Sequence, residues 1–215
     1  MSSGQDAELN AGSLSDQLNV SGLNPIDAET TPKFEEYLAL ILRWNGRMNL
    51  TAVRDPKEIV SRHFVESIAC AQALPAGLAT LLDFGSGAGL PGIPIALCRP
   101  EIRVTLAESQ IKKAAFLREV VRSLKLSSTV FAGRAENLRE KFDCVALRAV
   151  DRMEQAVKAA SDMVRVGGWM AVFTTEADRG KLESAWKDLE SRQTIKIAGS
   201  EQRLLVLASK GGSGD

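Results

Sequence analysis

The chain has 215 residues, 45% hydrophobic and 25% charged, with 27 basic and 27 acidic side chains and no formal net charge; this is a globular composition that excludes a fibrous or disordered chain and suits one domain with a small addition. No apolar run reaches the roughly 20 residues of a membrane-spanning helix, and no Lys or Arg precedes Lys33 to head a signal peptide, so a cytoplasmic protein without a membrane partner is expected. Cys70, Cys98 and Cys144 are far apart and His63 is the only histidine, so neither a zinc cluster nor a disulfide framework is expected, no metal is called for, and the cysteines read as buried apolar fillers.

Residues 1–30, rich in Ser, Gly, Asn and Asp with scattered Leu, read as a flexible acidic tail. Five acids and no bases fall within residues 1–32, which leaves 27 bases against 22 acids, a net of +5, in the part expected to fold. That mild excess softens the objection that a neutral chain makes a poor nucleic-acid partner. A helical addition over 31–76 follows. Its first helix is expected to start near Thr31, whose hydroxyl can cap the first turn with Pro32 at the first helical position, and to bury Phe34, Tyr37, Leu38, Ile41, Trp44 and Met48 on one stripe. Asp55-Pro56-Lys57-Glu58 has the form of a capping box and opens a second helix running to about Leu74.

From 77 to 210 short apolar runs alternate with helical stretches, the pattern of a parallel sheet covered by helices. The spacing predicts strands at 80–84, 103–107, 128–132, 143–147, 168–174, 193–198 and 203–209, with helices such as 110–124 and 151–165 between them. Only a few residues around Gly199 separate the last two strands, too few for a helical crossover, so these pair as an antiparallel hairpin. Residues 211–215 form a loose end.

The first of these strands runs into Asp83-Phe84-Gly85-Ser86-Gly87-Ala88-Gly89-Leu90-Pro91-Gly92. Glycines there let the backbone turn tightly and approach a ligand. Gly85 and Gly87 are the loop candidates, although a glycine triplet also serves nicotinamide cofactors and plain turns. Asp83, two residues upstream, is placed to receive a cationic amino group such as that of a methionine moiety, whereas it would repel a pyrophosphate. Glu108 ends the second strand, where a carboxylate can accept both hydroxyls of a ribose; alone, it could equally be a helix-start carboxylate. Gly133-Arg134-Ala135-Glu136 follows the third strand and offers amides and an acid to an adenine edge. Arg148 lies just past the fourth strand, where α/β sheets bind ligands.

Taken together, Gly-Ser-Gly-Ala-Gly-Leu-Pro-Gly-Ile-Pro (85–94), Thr-Leu-x-Glu-Ser (105–109), Lys113 to Leu117, Gly-Arg-Ala-Glu (133–136) and Phe142-Asp143 resemble the bacterial 16S ribosomal RNA (guanine-N7) methyltransferases, the glucose-inhibited division protein B family. The likeness reaches upstream to Trp44-Asn45, Asn49-Leu50-Thr51 and His63. It implies a class I S-adenosylmethionine-dependent methyltransferase fold: a doubly wound, mostly parallel seven-stranded sheet with an antiparallel last strand, plus an N-terminal helical addition. It also implies cofactor contacts at the positions matching Gly85, Leu90, Ala135, Glu136 and Arg148. The expected partner is 16S ribosomal RNA or the small ribosomal subunit, and the expected state a monomer. Two departures stand out: Leu147-Arg148-Ala149-Val150 replaces the family's Ser-Arg-Ala-Phe, and Thr174-Thr175-Glu176 stands where Lys-Gly is common.

Guanine N7 carries an in-plane lone pair and no proton, so no catalytic general base is expected and positioning supplies the rate. The Asn/Asp-Pro-Pro-aromatic motif of exocyclic-amine methylation and the Pro-Cys of carbon 5 methylation are both missing. A class I methyltransferase acting on a small molecule or protein, and a non-catalytic nucleotide-binding module, remain alternatives. For the RNA, Arg47, Asn49 and Thr51, with Asn45, lie in the connection between the two N-terminal helices, where they either grip sugar, phosphate and base or merely shape the turn. Lys112, Lys113, Arg118, Arg122 and Lys125 are equally a phosphate-binding or a solvated helix face. His63 reads as a boundary residue making one hydrogen bond, outside the site.

Overall fold

The computed structural model describes residues 11–186, 189–198 and 200–211. Helix α1 spans Ala11–Val20 and α2 Thr31–Asn45; α3, Pro56–Glu58, continues through a π-helical stretch, Ile59–Phe64, into α4, Val65–Ala73. Beyond them come β1 (Thr80–Phe84), α5 (Gly92–Cys98), β2 (Arg103–Glu108), α6 (Ile111–Ser123), β3 (Thr129–Ala132), β4 (Phe142–Leu147), α7 (Met153–Met163), β5 (Val164–Thr175), α8 (Glu176–Arg179), β6 (Leu189–Lys196) and β7 (Arg203–Lys210). Among the described residues these strands form one sheet in the order β3-β2-β1-β4-β5-β7-β6. β1 to β5 pair in parallel, and β7 is antiparallel to both β5 and β6. This is the class I methyltransferase arrangement. The strand order reverses between β1 and β4, so the crevice where open α/β sheets take ligands lies over their carboxyl ends.

Alternation along the strands divides the core in two. Leu81, Cys144, Ala146, Ala171, Phe173, Leu205 and Leu207 face one layer, together with the N-terminal helices, α5 and α6. Leu82, Phe84, Val145, Leu147, Met170, Val172, Val206 and Ala208 face the other, under α7. Successive side chains on a strand point to opposite faces, so near-continuous apolar runs are what a sheet covered on both sides requires. The N-terminal helices share a core with the sheet and have none of their own.

The structure corrects the reading of the first segment. Residues 1–10 lie outside the described residues, but 11–20 are helical, and Leu14 and Leu18, one helical turn apart, are 4% and 0% exposed within the main core. Gln72 on α4 exchanges two hydrogen bonds with the backbone of Asn24. Two leucines were too sparse to show a period, yet they suffice to dock a short helix. Thr31 does not cap α2 through its hydroxyl; Asp27 instead accepts from Thr30 N–H and Thr30 Oγ1 at 2.6 and 3.0 Å and closes the turn before it. Asp55 does cap α3, accepting from Lys57 N–H at 2.8 Å, whereas Glu58 reaches forward to Arg62 and leaves the box half made. β5 starts at Val164 rather than 168, because Val164 pairs with Phe142 before the ladder shifts register between Phe142 and Cys144. β6 likewise starts at Leu189 rather than 193. Cys70 and Cys144 are buried as expected, and Cys98 is half-buried.

Candidate active site

β1 delivers the chain to the crevice at Gly85. The loop then turns through positive φ at Gly85 (+74°), Gly87 (+55°) and Gly89 (+88°), a region that disfavours side chains. Tight packing adds a second requirement at two glycines: a Cβ on Gly89 would lie 2.6 Å from Ile93, and one on Gly92 would lie 2.4 Å from Leu106. The loop is also fastened from outside. Tyr37 of α2, fully buried, donates its hydroxyl to the carbonyl of Ala88 at 2.6 Å, and burial raises its pKa well above the ordinary tyrosine value.

Asp83 lies beneath this loop. Its side chain is 1% exposed and does not line the cleft; Oδ2 accepts from Gly92 N–H at 3.1 Å, anchoring the start of α5. Burial pushes its carboxyl up to about 7. Direct receipt of a ligand's amino group by Asp83, read from its spacing, is therefore replaced by a bracing role. Glu108, at the end of β2, accepts from Gly87 N–H at 2.9 Å through Oε2 and from Gln110 N–H at 2.7 Å through Oε1. It ties the glycine loop to the next strand while its carboxylate borders the cleft.

The cleft itself measures about 910 Å³. Gly85, Gly87 and Leu90 from the first loop, Glu108 from the second and Ala135 and Glu136 from the third all line it, as does Arg148 after β4. Ala135 and Glu136 lie in a single 3₁₀ turn, Ala135–Asn137, following β3. The cleft thus gathers residues spread over more than sixty positions, from Gly85 to Arg148. Thr51 also lines this cleft, and Lys113 reaches it from α6. Arg47 and Asn49 do not: both are exposed, and Asn49 accepts from Arg54 at 3.5 Å. Asn45 shapes the connection, accepting from Leu50 and Thr51 N–H at 2.9 and 3.2 Å and donating to Val53 O at 3.4 Å.

A polar junction closes one wall. Arg148 Nη2 lies 2.6 Å from Glu66 Oε2 and 2.7 Å from His63 Nδ1, while Nη1 donates to His63 O and Ser67 Oγ at 3.4 and 3.3 Å. The guanidinium also sits 5.3 Å from the Phe173 ring centroid. Arg203, opening β7, pairs with Glu66 as well. Burial lowers Arg148 to about 10; burial first and then the Arg148 charge lower His63 to about 3, so the imidazole is neutral. The π-helical stretch containing Arg62 and His63 supplies the backbone carbonyls that meet this arginine, in keeping with the enrichment of π-bulges at functional sites. Beyond the junction is a second cavity of about 620 Å³, which shares His63, Arg148, Ala149 and Arg152 with the first. Ala149 and Arg152 hold positive φ (+51° and +53°), strain of the kind found at ligand sites.

The model of the rRNA small subunit methyltransferase G family matches residues 30–205. The chain belongs to that family. Ribosomal RNA small subunit methyltransferase G of Xanthomonas euvesicatoria pv. vesicatoria (strain 85-10) is 40% identical over 194 residues, covering 86% of this chain and 90% of that one. Among solved structures, a methyltransferase from Pyrococcus furiosus shares the fold with a TM-score of 0.59 at 15% identity, over 86% of this chain and 100% of that one. M. jannaschii TYW2, solved in complex with AdoMet, does so with a TM-score of 0.55 at 17% identity, over 70% and 76%.

Membership gives the chain an enzymatic identity, that of a ribosomal RNA methyltransferase. His63, read as a boundary residue with one bond, is instead a two-sided member of the junction. The apolar stripe of the sequence includes Tyr37 but not its bond to the glycine loop, and gives no role to Glu66 or Arg203. A carboxylate in the apolar run Phe64-Val65-Glu66-Ser67-Ile68 is the signal that flags a buried ion pair.

Proposed function

We propose that the protein transfers the methyl group of S-adenosylmethionine to N7 of a guanosine in the 16S ribosomal RNA of the small ribosomal subunit, acting as a cytoplasmic monomer. The observation that carries the cofactor reading is the engagement of the loop amides. Gly87 N–H is held by Glu108 and Gly92 N–H by Asp83, so the loop does not offer those amides to a pyrophosphate, as a dinucleotide site must. An adenosine with a cationic tail needs no such nest. The cleft volume falls within the roughly 300–1,000 Å³ usual for small-molecule sites. Each Glu108 oxygen accepts one N–H and keeps a lone pair for a ribose hydroxyl. Ala135 and Glu136 would border the adenine, Gly85, Gly87 and Leu90 the middle of the ligand. Arg148 would contribute positive charge rather than a free donor, since its N–H groups face the junction.

When bound, S-adenosylmethionine supplies a sulfonium methyl open to attack by a lone pair. The residues' task is then to orient guanine N7 and exclude water. Motif resemblance supports N7 as the acceptor atom, and the relatives' names support the small-subunit RNA. Thr51 would meet the base at the cleft, while Arg47 and Asn49, exposed on the same connection, would contact RNA outside it. Among the described residues no helix is long and apolar enough to cross a membrane. Isothermal titration with S-adenosylmethionine and with NAD tests the cofactor reading: saturable binding of the first alone is expected, and binding of NAD instead would overturn it.

A further inference from the structure

We infer that Thr51 is a donor-only hydroxyl that reads O6 of the target guanine, with its polarity fixed by His63 and Arg148. The inference rests on the proposed guanine-N7 reaction and adds to it the basis of base selection. It follows from counting hydrogens and lone pairs along one chain of contacts. A guanidinium can only donate. His63 Nδ1, 2.7 Å from Arg148 Nη2, must therefore accept, which puts the ring hydrogen on Nε2. Nε2 is 3.1 Å from Thr51 Oγ1 and donates to it. Val53 N–H donates to the same oxygen at 3.2 Å.

Both lone pairs of the Thr51 hydroxyl are then in use, and what remains is its own hydrogen. Among the described residues no acceptor is paired with that hydrogen, and Thr51 is half-buried on the wall of the larger cleft. A threonine hydroxyl ordinarily donates or accepts as the partner demands; this one can only donate. Guanine and adenine share N7 but differ beside it, where guanine carries the O6 acceptor and adenine the N6 amino donor. A donor-only group at that edge pairs with guanine and sets hydrogen against hydrogen with adenine. Thr51 touches the substrate in this account, whereas His63 is a positioning residue that acts through it.

The test is a cycle between the residue and the substrate atom. Methyl transfer is measured on small subunits reconstituted with guanosine or 6-thioguanosine at the target, because sulfur is the weaker acceptor. The parent protein should lose about tenfold in kcat/KM on sulfur substitution, the worth of one neutral hydrogen bond. Thr51→Val should lose about tenfold on guanosine and be insensitive to the sulfur, with unchanged affinity for S-adenosylmethionine; Thr51→Ser should keep the parent's sensitivity. A parent protein indifferent to sulfur would overturn the inference without recourse to any variant, and so would a Thr51→Val protein as sensitive as the parent. Absence of N7 methylation on guanosine itself would strike the proposed function, and is read in the same assay.

Discussion

Tyr37 shows how one buried hydroxyl on an N-terminal helix can brace the glycine loop. It is buried, and its bond to Ala88 O joins positions 51 apart. Tyr37→Phe should cost about 1–2 kcal/mol, since Ala88 O is left without its partner, and should weaken S-adenosylmethionine binding with little change in fold; unaltered melting temperature and affinity would show that the loop holds its shape alone. Gly85→Asp is the complementary probe. A side chain there meets positive φ and Val150 at 3.4 Å, so a folded variant with no measurable cofactor affinity is expected by calorimetry. Asp83 allows a test by pH. Its folded pKa of about 7 exceeds the ordinary carboxylate value, so the native state takes up a proton there and stability from this group, full below about pH 4, is lost as pH rises through 7. Asp83→Asn keeps an acceptor for Gly92 and removes the buried charge. The excess of its melting temperature over the parent's should be larger at pH 8 than near pH 4; a constant offset at both would contradict the assignment. The glycine loop, Glu108 and Ala135-Glu136 are readable from sequence because each sits at or just past the carboxyl end of a strand. Tyr37 and His63 are not, since their partners are set by packing between elements.

Elements explain the other differences between sequence and structure. α1 is invisible to periodicity because it carries only Leu14 and Leu18 toward the core, yet burying two leucines contributes about 1.5–3 kcal/mol each. Removing residues 1–22 should therefore lower stability by roughly 3–6 kcal/mol, seen as a reduced denaturant midpoint; an unchanged midpoint would return the segment to the status of a tail. The helix from Pro56 to Ala73 was readable in extent from its cap and its apolar spacing. Its π-helical stretch was not, because a π turn depends on what the widened turn must meet, here the Arg148 guanidinium. That arginine, Glu66 and Arg203 bind β4, α4 and β7 at one point. Removing one partner of a buried pair strands a charge, so Glu66→Ala should destabilise by about 3–5 kcal/mol and loosen the wall between the two cavities, measurable as faster amide exchange over residues 59–67.

At the scale of the molecule, the sheet places the cleft-lining loops after β1, β2, β3 and β4 on one edge, while the N-terminal helices and their connection bring Tyr37, Thr51 and His63 to the same edge from outside. The final antiparallel hairpin was legible because local spacing forces it: a crossover needs a helix, and the last connection has no room for one. The shared core of helices and sheet was not, since alternation says which side of a strand is buried but not by what. Membership in the ribosomal RNA methyltransferase family agrees with this assembly, in which the larger cleft and a second cavity meet across Arg148. The central claim is that this edge methylates guanine N7 in the small-subunit RNA. Its most direct test is mass spectrometric mapping of 16S ribosomal RNA after small subunits from a strain lacking the enzyme are incubated with the protein and isotopically labelled S-adenosylmethionine. One labelled 7-methylguanosine, absent with Gly85→Asp, is expected; label on another atom or base, or none in 16S RNA while the protein binds the cofactor, would contradict the account.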